Sequence, residues 1–434
     1  MHVGLGVTGL RRAVSLLAVF SLMCLSSCQG STISTVEMPS AAEAADSRRP
    51  DSASRGIYAP AAPELAAQSA LTNQERIASL LGTTPNELPA YRVPKRIPSD
   101  GSEDVTTELL RYIRRVPNGS RIVFAKDGLY RINETLLIRD RRRLVFVGRG
   151  ATFRAYSRGY RERSQFSFVK GSDVVIRNLT VIGANPNAGT SDDAYVRNLE
   201  GQHAFRFAGV QGAVLDHVQA YDLYGDFVYF GGWLTERGGI IPSRNVTVQS
   251  SQFERNGRQG IAPVACEDVL IVDNEIAKVR RSTIDLEPNA DERGCRRVSI
   301  IGNTFGASRL AWLASGGQGS KVSDVYVADN VMRAGSGFRL VLVTTNQNAS
   351  GMKGPFMFEN NSLVVTAAGA FEFHRVHDIT IQNNEVSGFS GDMAAVTLFD
   401  SHTVGVYDNT FTGAAQILVA DSASTEYEER GNTT

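Results

Sequence analysis

The sequence predicts an all-β solenoid of short strands, and three observations carry that prediction. Six nine-residue segments align without gaps: DVLIVDNEI (268–276), RVSIIGNTF (297–305), DVYVADNVM (324–332), PFMFENNSL (355–363), DITIQNNEV (378–386) and TVGVYDNTF (403–411). Each places asparagine at its seventh position, giving Asn274, Asn303, Asn330, Asn361, Asn384 and Asn409 at spacings of 23 to 31 residues. A second set of short β-branched or aromatic runs intervenes, including AFRFAGV (204–210), DFVYFGG (226–232), RQGIAPV (258–264), STIDLEP (282–288) and AFEFHRV (370–376). Two or three strands per irregular repeat, with no helix between them, are a solenoid pattern. A parallel strand pair needs a long crossover, and one circuit of a coil supplies it.

The chain opens on a targeting segment. Arg11-Arg12 precede an apolar core, Ala13–Leu25, and Leu25-Ser26-Ser27-Cys28 resembles a bacterial lipobox. Cys28 is therefore expected to be lipidated and to become the first mature residue. That implies an exported, membrane-anchored protein facing the periplasm or the outside. No later run is long enough to cross a bilayer. Residues 28–70, rich in Ala, Ser, Pro and Glu, read as a tether without periodic apolar pattern. A short helical lead-in occupies 71–96, with a capped helix over Thr72–Leu81. The β domain is expected from 97 to 424, followed by a tail over 425–434.

Within that domain, Ser102–Val116 has helical spacing at Val105, Leu109, Leu110, Ile113 and Val116. Strand-like segments follow at Arg121–Ala125, Leu129–Ile132, Thr135–Ile138, Leu144–Val147 and Thr152–Arg154, separated by turn residues such as Gly148-Arg149-Gly150. NVTVQSSQF (245–253) fits the repeat with Ser251 in the asparagine slot. DVVIRNLTV (173–181) and AVLDHVQAY (213–221) are looser copies. Aligned asparagines should stack at one corner, since Asn tolerates left-handed turns and its amide can bond the coils above and below.

Ile97–Ala155, with IPSDGSEDVTTELLRYI, DGLYRI and RRRLVFVGRGATFRA, together with GRQGI and RRSTIDLEPN, resembles the right-handed parallel β-helix proteins of the pectate-lyase superfamily. The resemblance covers roughly 97–424. It implies that the entry helix caps the first coil and that the protein acts on a polysaccharide. The asparagine–aspartate, paired-aspartate, Gly-His-Gly and Arg-x-Lys set of polygalacturonases is absent.

Alternation along the second strands places Ile284 and Leu286 inward and Thr283, Asp285 and Glu287 outward. It also turns Arg206, Arg258, Glu372 and His374 outward, while Asp226 stands at a strand start with its direction open. Two acids on one strand face suit glycoside hydrolysis, which needs a general acid and a base or nucleophile. Asp285 and Glu287 are the first pair and Asp226 the third candidate. Arg258, Arg206, His203, Gln259, Arg281, Tyr229, Glu372 and His374 are candidates for holding substrate. The loop Ile182–His203 is long enough to wall one side, and Trp233 is a candidate sugar platform.

The same residues permit β-elimination on a uronate, with His203 or Tyr229 as base, Arg206, Arg258 and Arg281 as neutralising cations, and calcium as a possible cofactor. They also permit a non-catalytic glycan-binding scaffold, in which Asp285 and Glu287 only balance Arg258, Arg280 or Arg281. No cofactor is otherwise expected and no metal-ligand spacing stands out. With 45 basic and 45 acidic residues the net charge is zero, which gives no reason to expect nucleic acid.

Cys266 and Cys295 each stand two residues before the start of successive repeats. In-register neighbours in adjacent coils lie about 4.8 Å apart, a separation that suits a disulfide. A Cys266–Cys295 bridge is therefore expected, worth about 3–4 kcal/mol in the chain-entropy account.

Overall fold

The computed structural model describes residues 70–290, 293–333, 337–365 and 369–434. The lipobox, Cys28 and most of the expected tether lie outside the described residues. Among those described, no helix is long and apolar enough to cross a membrane.

Each coil contributes two strands to one large parallel sheet and one strand to a second, eleven-stranded parallel sheet. The second sheet follows strict chain order, so every strand pairs with its equivalent one coil earlier and one coil later. Eight of its strands matter below: β1 (Phe205–Ala208), β2 (Val228–Gly231), β3 (Ile261–Pro263), β4 (Ile284–Asp285), β5 (Ala311–Ser315), β6 (Arg339–Thr344), β7 (Phe371–His374) and β8 (Ala394–Phe399). Phe205, Val228, Ile261, Ile284, Leu313, Val341, Phe371 and Val396 form one inward ladder along them. All eight are buried in a single core that runs the length of the solenoid.

The asparagine repeat behaves as a hydrogen-bonded column. The backbone N–H and the Nδ2 of Asn274 both donate to Oδ1 of Asn303, at 2.9 and 3.0 Å. The same pair of bonds recurs from Asn303 to Asn330, Asn330 to Asn361, Asn361 to Asn384 and Asn384 to Asn409. Each amide also donates to a backbone carbonyl of the preceding coil, as Asn330 does to Ile300. Ser251 heads the column, its N–H donating to Oδ1 of Asn274.

Two expectations about this corner need correction. The left-handed residues are not the ladder asparagines but the sixth position of every repeat and the first position of all but the one that opens on Pro355. Asp268 and Asp273 have φ 57° and 54°, Asp324 and Asp329 57° and 55°, and Asp378 and Asn383 both 53°. Asp, Asn and Gly recur there because they enter this region at least cost. In addition, Ala213 pairs with Val174 and Val246, so the looser copy runs from Gly212 to Ala220 and its ladder slot holds Val218.

The domain also starts earlier and ends later than 97 and 424. Ala90–Arg92 pairs with Arg121–Val123 as a first strand. Thr425–Arg430 pairs with the strand His402–Tyr407, and Asn409 donates to Oδ1 of Asn432 at 3.0 and 2.9 Å. The tail is thus a final coil that carries one more rung of the column. The helix α1 (Asn73–Leu81), closed by a Thr72–Glu75 capping box, packs Ile77 and Leu81 on the outward side chains of Val145, Val175 and Val214. The helix α2 (Thr106–Arg115) buries Leu109 and Ile113 in the main core and caps the first coil.

Cys266 and Cys295 are register partners, as the repeat predicts, yet both are free thiols buried in the core. The Cys295 Sγ donates to the Pro263 carbonyl at 3.0 Å. Burial, with Cys295 alongside, pushes the Cys266 thiol well above its ordinary pKa, so the thiolate that disulfide chemistry requires is disfavoured. The expected bridge is not formed here, and both cysteines are core side chains.

Candidate active site

The outward side of the second sheet carries the chemistry. Its central outward ladder reads Arg206, Tyr229, Ala262, Asp285, Ala314, Leu342, Glu372 and Thr397. Asp285 is outward because Ile284 and Leu286, on either side, are fully buried.

Arg258 and Gln259, on the turn before β3, gather three carboxylates. Arg258 Nη1 donates to Asp226 Oδ2 and Nη2 to Glu287 Oε2, both at 2.9 Å. The Gln259 N–H donates to Asp226 Oδ1 at 2.9 Å, and its side-chain amide donates to Asp285 Oδ2. Gln259 Oε1 in turn accepts from the Ser282 N–H at 2.8 Å. One dipeptide therefore ties together acids that stand far apart in the chain.

The three acids differ in access. Asp226 is 0% exposed and Asp285 6%, while the Glu287 side chain is 16% exposed. Burial lifts Asp226 to a pKa of about 7 despite Arg258 beside it. Burial and the neighbouring Glu287 lift Asp285 to about 8. Burial works against the Arg258 charge, but Asp226 and Glu287 more than offset it and hold the guanidinium charged. Near neutral pH the cluster then holds a protonated Asp285 next to Glu287 on a bound cation.

His203 lies behind Asp226. Its Nδ1 accepts the Asp226 N–H at 3.0 Å, and its ring stacks on Tyr229 with centroids 4.9 Å apart. Burial, then Arg258 and Arg206, drive its pKa well down. The imidazole is therefore neutral, and the 3.3 Å approach of Nδ1 to Asp226 Oδ2 is not an ion pair. Burial also raises the Tyr229 phenol. The remaining arginines lie around the rim. Arg206 Nη1 donates to Ser167 Oγ at 3.3 Å, and the Arg281 guanidinium sits over the Tyr195 ring at 6.0 Å.

The long loop after Ile182 does wall one side. Its Asp192 binds Arg280 at 2.9 Å, and Tyr195 donates to Glu200 Oε2 at 2.7 Å. That same Glu200 oxygen stands 3.8 Å from Arg258 Nε, too long for a hydrogen bond. Among the described residues, Arg258 Nε, Arg281 Nε and Thr283 Oγ1 are buried polar atoms without a hydrogen-bond partner. All three belong to this one neighbourhood, and buried polar atoms left unmet are costly to keep.

Sequence reasoning missed Glu200 and Lys353. Nothing in the local pattern marks Glu200; only the return of its loop onto Arg258 does. Lys353 is 0% exposed. Its Nζ donates to the Ser315, Gly316 and Thr344 carbonyls at 3.1, 2.6 and 2.7 Å, under the rungs that follow Glu287. Burial lowers its pKa to about 8.

Three expected members lie elsewhere. Glu372 and His374 form a separate cluster three coils further on. Trp233 sits on a hairpin with Ile241, with Arg139 and Lys170 over its ring at 5.5 and 5.1 Å, and is not brought to the acids. Trp312 is buried against Phe305 as a core side chain. Calcium does not fit the residues present. The acids are bonded to Arg258 and Gln259, and among the described residues no group of three or more His, Cys, Asp or Glu is arranged to hold a metal ion.

Comparison with solved structures bears on the fold. The chain aligns over 83% of its length, and 95% of the other chain, with an exopolygalacturonase from Thermotoga maritima at TM-score 0.58 and 12% identity. A mutant tailspike of E. coli bacteriophage HK620 in complex with a pentasaccharide aligns over 80% of this chain and 66% of its own, at TM-score 0.55 and 10% identity. The fold is a right-handed parallel β-helix. PfbA, a surface adhesin of Streptococcus pneumoniae, shares it over 77% of this chain and 93% of its own, at TM-score 0.53 and 13% identity. No established family profile matches the chain. An SPbeta prophage-derived uncharacterized protein, YorA, of Bacillus subtilis is 26% identical over 151 residues, which is 33% of this chain. The match spans 25% of that relative's length.

Proposed function

We propose that the protein is an exported, polysaccharide-cleaving glycoside hydrolase, held to a membrane through a lipid on Cys28. The observation that carries the reading is Asp285. It is an outward carboxyl at the floor of a walled face, raised to about 8 by burial beside Glu287. A carboxylic acid that keeps its proton at neutral pH, next to a second carboxyl held by an arginine, is the pairing glycosidic cleavage requires.

In this reading Asp285 gives its proton to the glycosidic oxygen as the bond to the anomeric carbon breaks. Glu287, held by Arg258, takes a proton from the water that adds to that carbon. The two Cα atoms are about 6–7 Å apart from strand rise. Asp226, with no exposed surface, positions Arg258 and Gln259 and does not meet the sugar. Arg258 holds the Glu287 carboxylate in place, and Arg281, beside the Tyr195 ring on the rim, binds hydroxyl or anionic groups of the substrate. A glycan substrate is further supported by the exopolygalacturonase and the pentasaccharide-bound tailspike that share the fold.

Elimination is less well supported. His203 Nδ1 is already engaged by the Asp226 N–H, and Tyr229 is pushed away from serving as a base. A panel of polysaccharides read both for new reducing ends and for absorbance at 232 nm from unsaturated uronates tests the proposal. Reducing ends without that absorbance support it. Absorbance establishes a lyase, and binding without either product establishes a scaffold.

A further inference from the structure

We propose that Phe338, Arg339, Glu372, His374 and Phe399 form a second sugar-binding subsite, which holds a distal unit of the same glycan chain whose bond is cut at Asp285. The inference rests on the reading of the Asp285 site as a glycosidase.

Register places the two clusters on one track. Asp285 pairs with Ala314, Ala314 with Leu342, and Leu342 with Glu372, so Glu372 stands three rungs away, about 14 Å along the axis. The adjacent outward rungs after Glu287 are Gly316, Thr344, His374 and Phe399. Between the clusters the floor is low on the Asp285 side and rises at Leu342 and Thr344. Ala314 is small, and a Cβ added at Gly316 would meet nothing within 4 Å.

The distal cluster has the two chemistries a sugar presents. Glu372 Oε2 accepts from Arg339 Nε at 2.5 Å, and Oε1 pairs with His374 Nε2 at 2.7 Å. The carboxylate is thus held in one orientation, with further lone pairs for hydroxyl donors. Two flat apolar surfaces flank it. Phe399 stacks on His374 with centroids 4.4 Å apart, and the Arg339 guanidinium lies 4.4 Å from the Phe338 ring centre. Phe338 is 48% and Phe399 38% exposed, so neither ring is consumed by the core. A hexose or uronose offers apolar C–H faces to such rings and equatorial hydroxyls to such a carboxylate. The core stays intact without Phe338 and Phe399, and the ion cluster has no part in the Asp285 chemistry. A polymer that lies along the axis gives both a purpose.

The test compares the disaccharide and the hexasaccharide of the polymer cleaved in the panel above. Wild type should show kcat/KM at least about tenfold higher for the hexasaccharide, the equivalent of 1.4 kcal/mol. Phe399→Ala and, separately, His374→Gln should lose most of that ratio through KM, with thermal unfolding unchanged because both residues are at the surface. If the ratio survives both substitutions while cleavage persists, the subsite is refuted and the glycosidase reading stands. If no polymer in the panel is bound or cleaved, both are refuted together.

Discussion

Two columns of buried polar side chains run through this solenoid, and they are built on opposite terms. The asparagine column at the corner of the large sheet is neutral and paired throughout: from Asn303 onward each amide oxygen takes two donors, and each amide nitrogen gives to a carbonyl and to the next rung. The cluster around Arg258 is charged, holds two carboxyls raised to about 7 and 8, and includes polar atoms with no partner. A satisfied ladder stabilises the coil against its neighbours. A cluster that keeps an acid protonated at neutral pH and leaves donors unmet lowers stability, and such strain in the polar inventory marks a site kept for binding or chemistry.

The largest effect should follow from Arg258→Met. It strips the shared cation from Asp226 and Glu287 and leaves the Asp226 carboxyl buried without its counter-charge, a loss of about 3–5 kcal/mol. The unpaired acids would take up protons, so the loss should be greater at pH 8 than at pH 5. Denaturant unfolding at the two pH values measures this, and a loss independent of pH would break the contrast. Asn330→Ala should come next. It removes the acceptor for the Asn303 N–H and Nδ2 and the donor to Ile300 and Ala328. The expected loss is about 3 kcal/mol, since each buried group left unmet costs about 1–3 kcal/mol, and it should not depend on pH, because no charge is involved.

A third effect has the opposite sign. Asp285 binds its proton more tightly folded than unfolded, so its ionisation destabilises the fold as pH rises from about 4 through about 8. Asp285→Asn should therefore leave stability unchanged near pH 4 and raise the unfolding temperature by a few degrees at pH 8. A lower unfolding temperature at pH 8 would mean that Asp285 is a structural anion.

Legibility in the sequence follows the same division. The asparagine column could be read because periodic function leaves a periodic trace. The register derived from it also pairs Cys266 with Cys295 and places Asp285, Glu287 and Arg258 together. The column's last rung, Asn432, was missed because its coil, TEYEERGNT, lacks the apolar alternation that marks the others. Neither the free state of the cysteines nor the full burial of Asp226 follows from register, because each depends on what packs around the side chain. Glu200 and Lys353 reach the site from a long loop and from beneath a strand end, where no repeat constrains the residue type. Chemistry here is aperiodic within a periodic frame, so the frame is legible and the site only in part.

The central claim is that Asp285 and Glu287 do chemistry rather than balance charge. Its most direct test is the specific activity of Asp285→Asn and Glu287→Gln on the glycan that the wild type cleaves, with thermal unfolding measured alongside. Each folded variant should lose about 10²–10⁴-fold in kcat, the range for removal of a positioned proton donor or acceptor. Full activity in either folded variant would contradict the assignment.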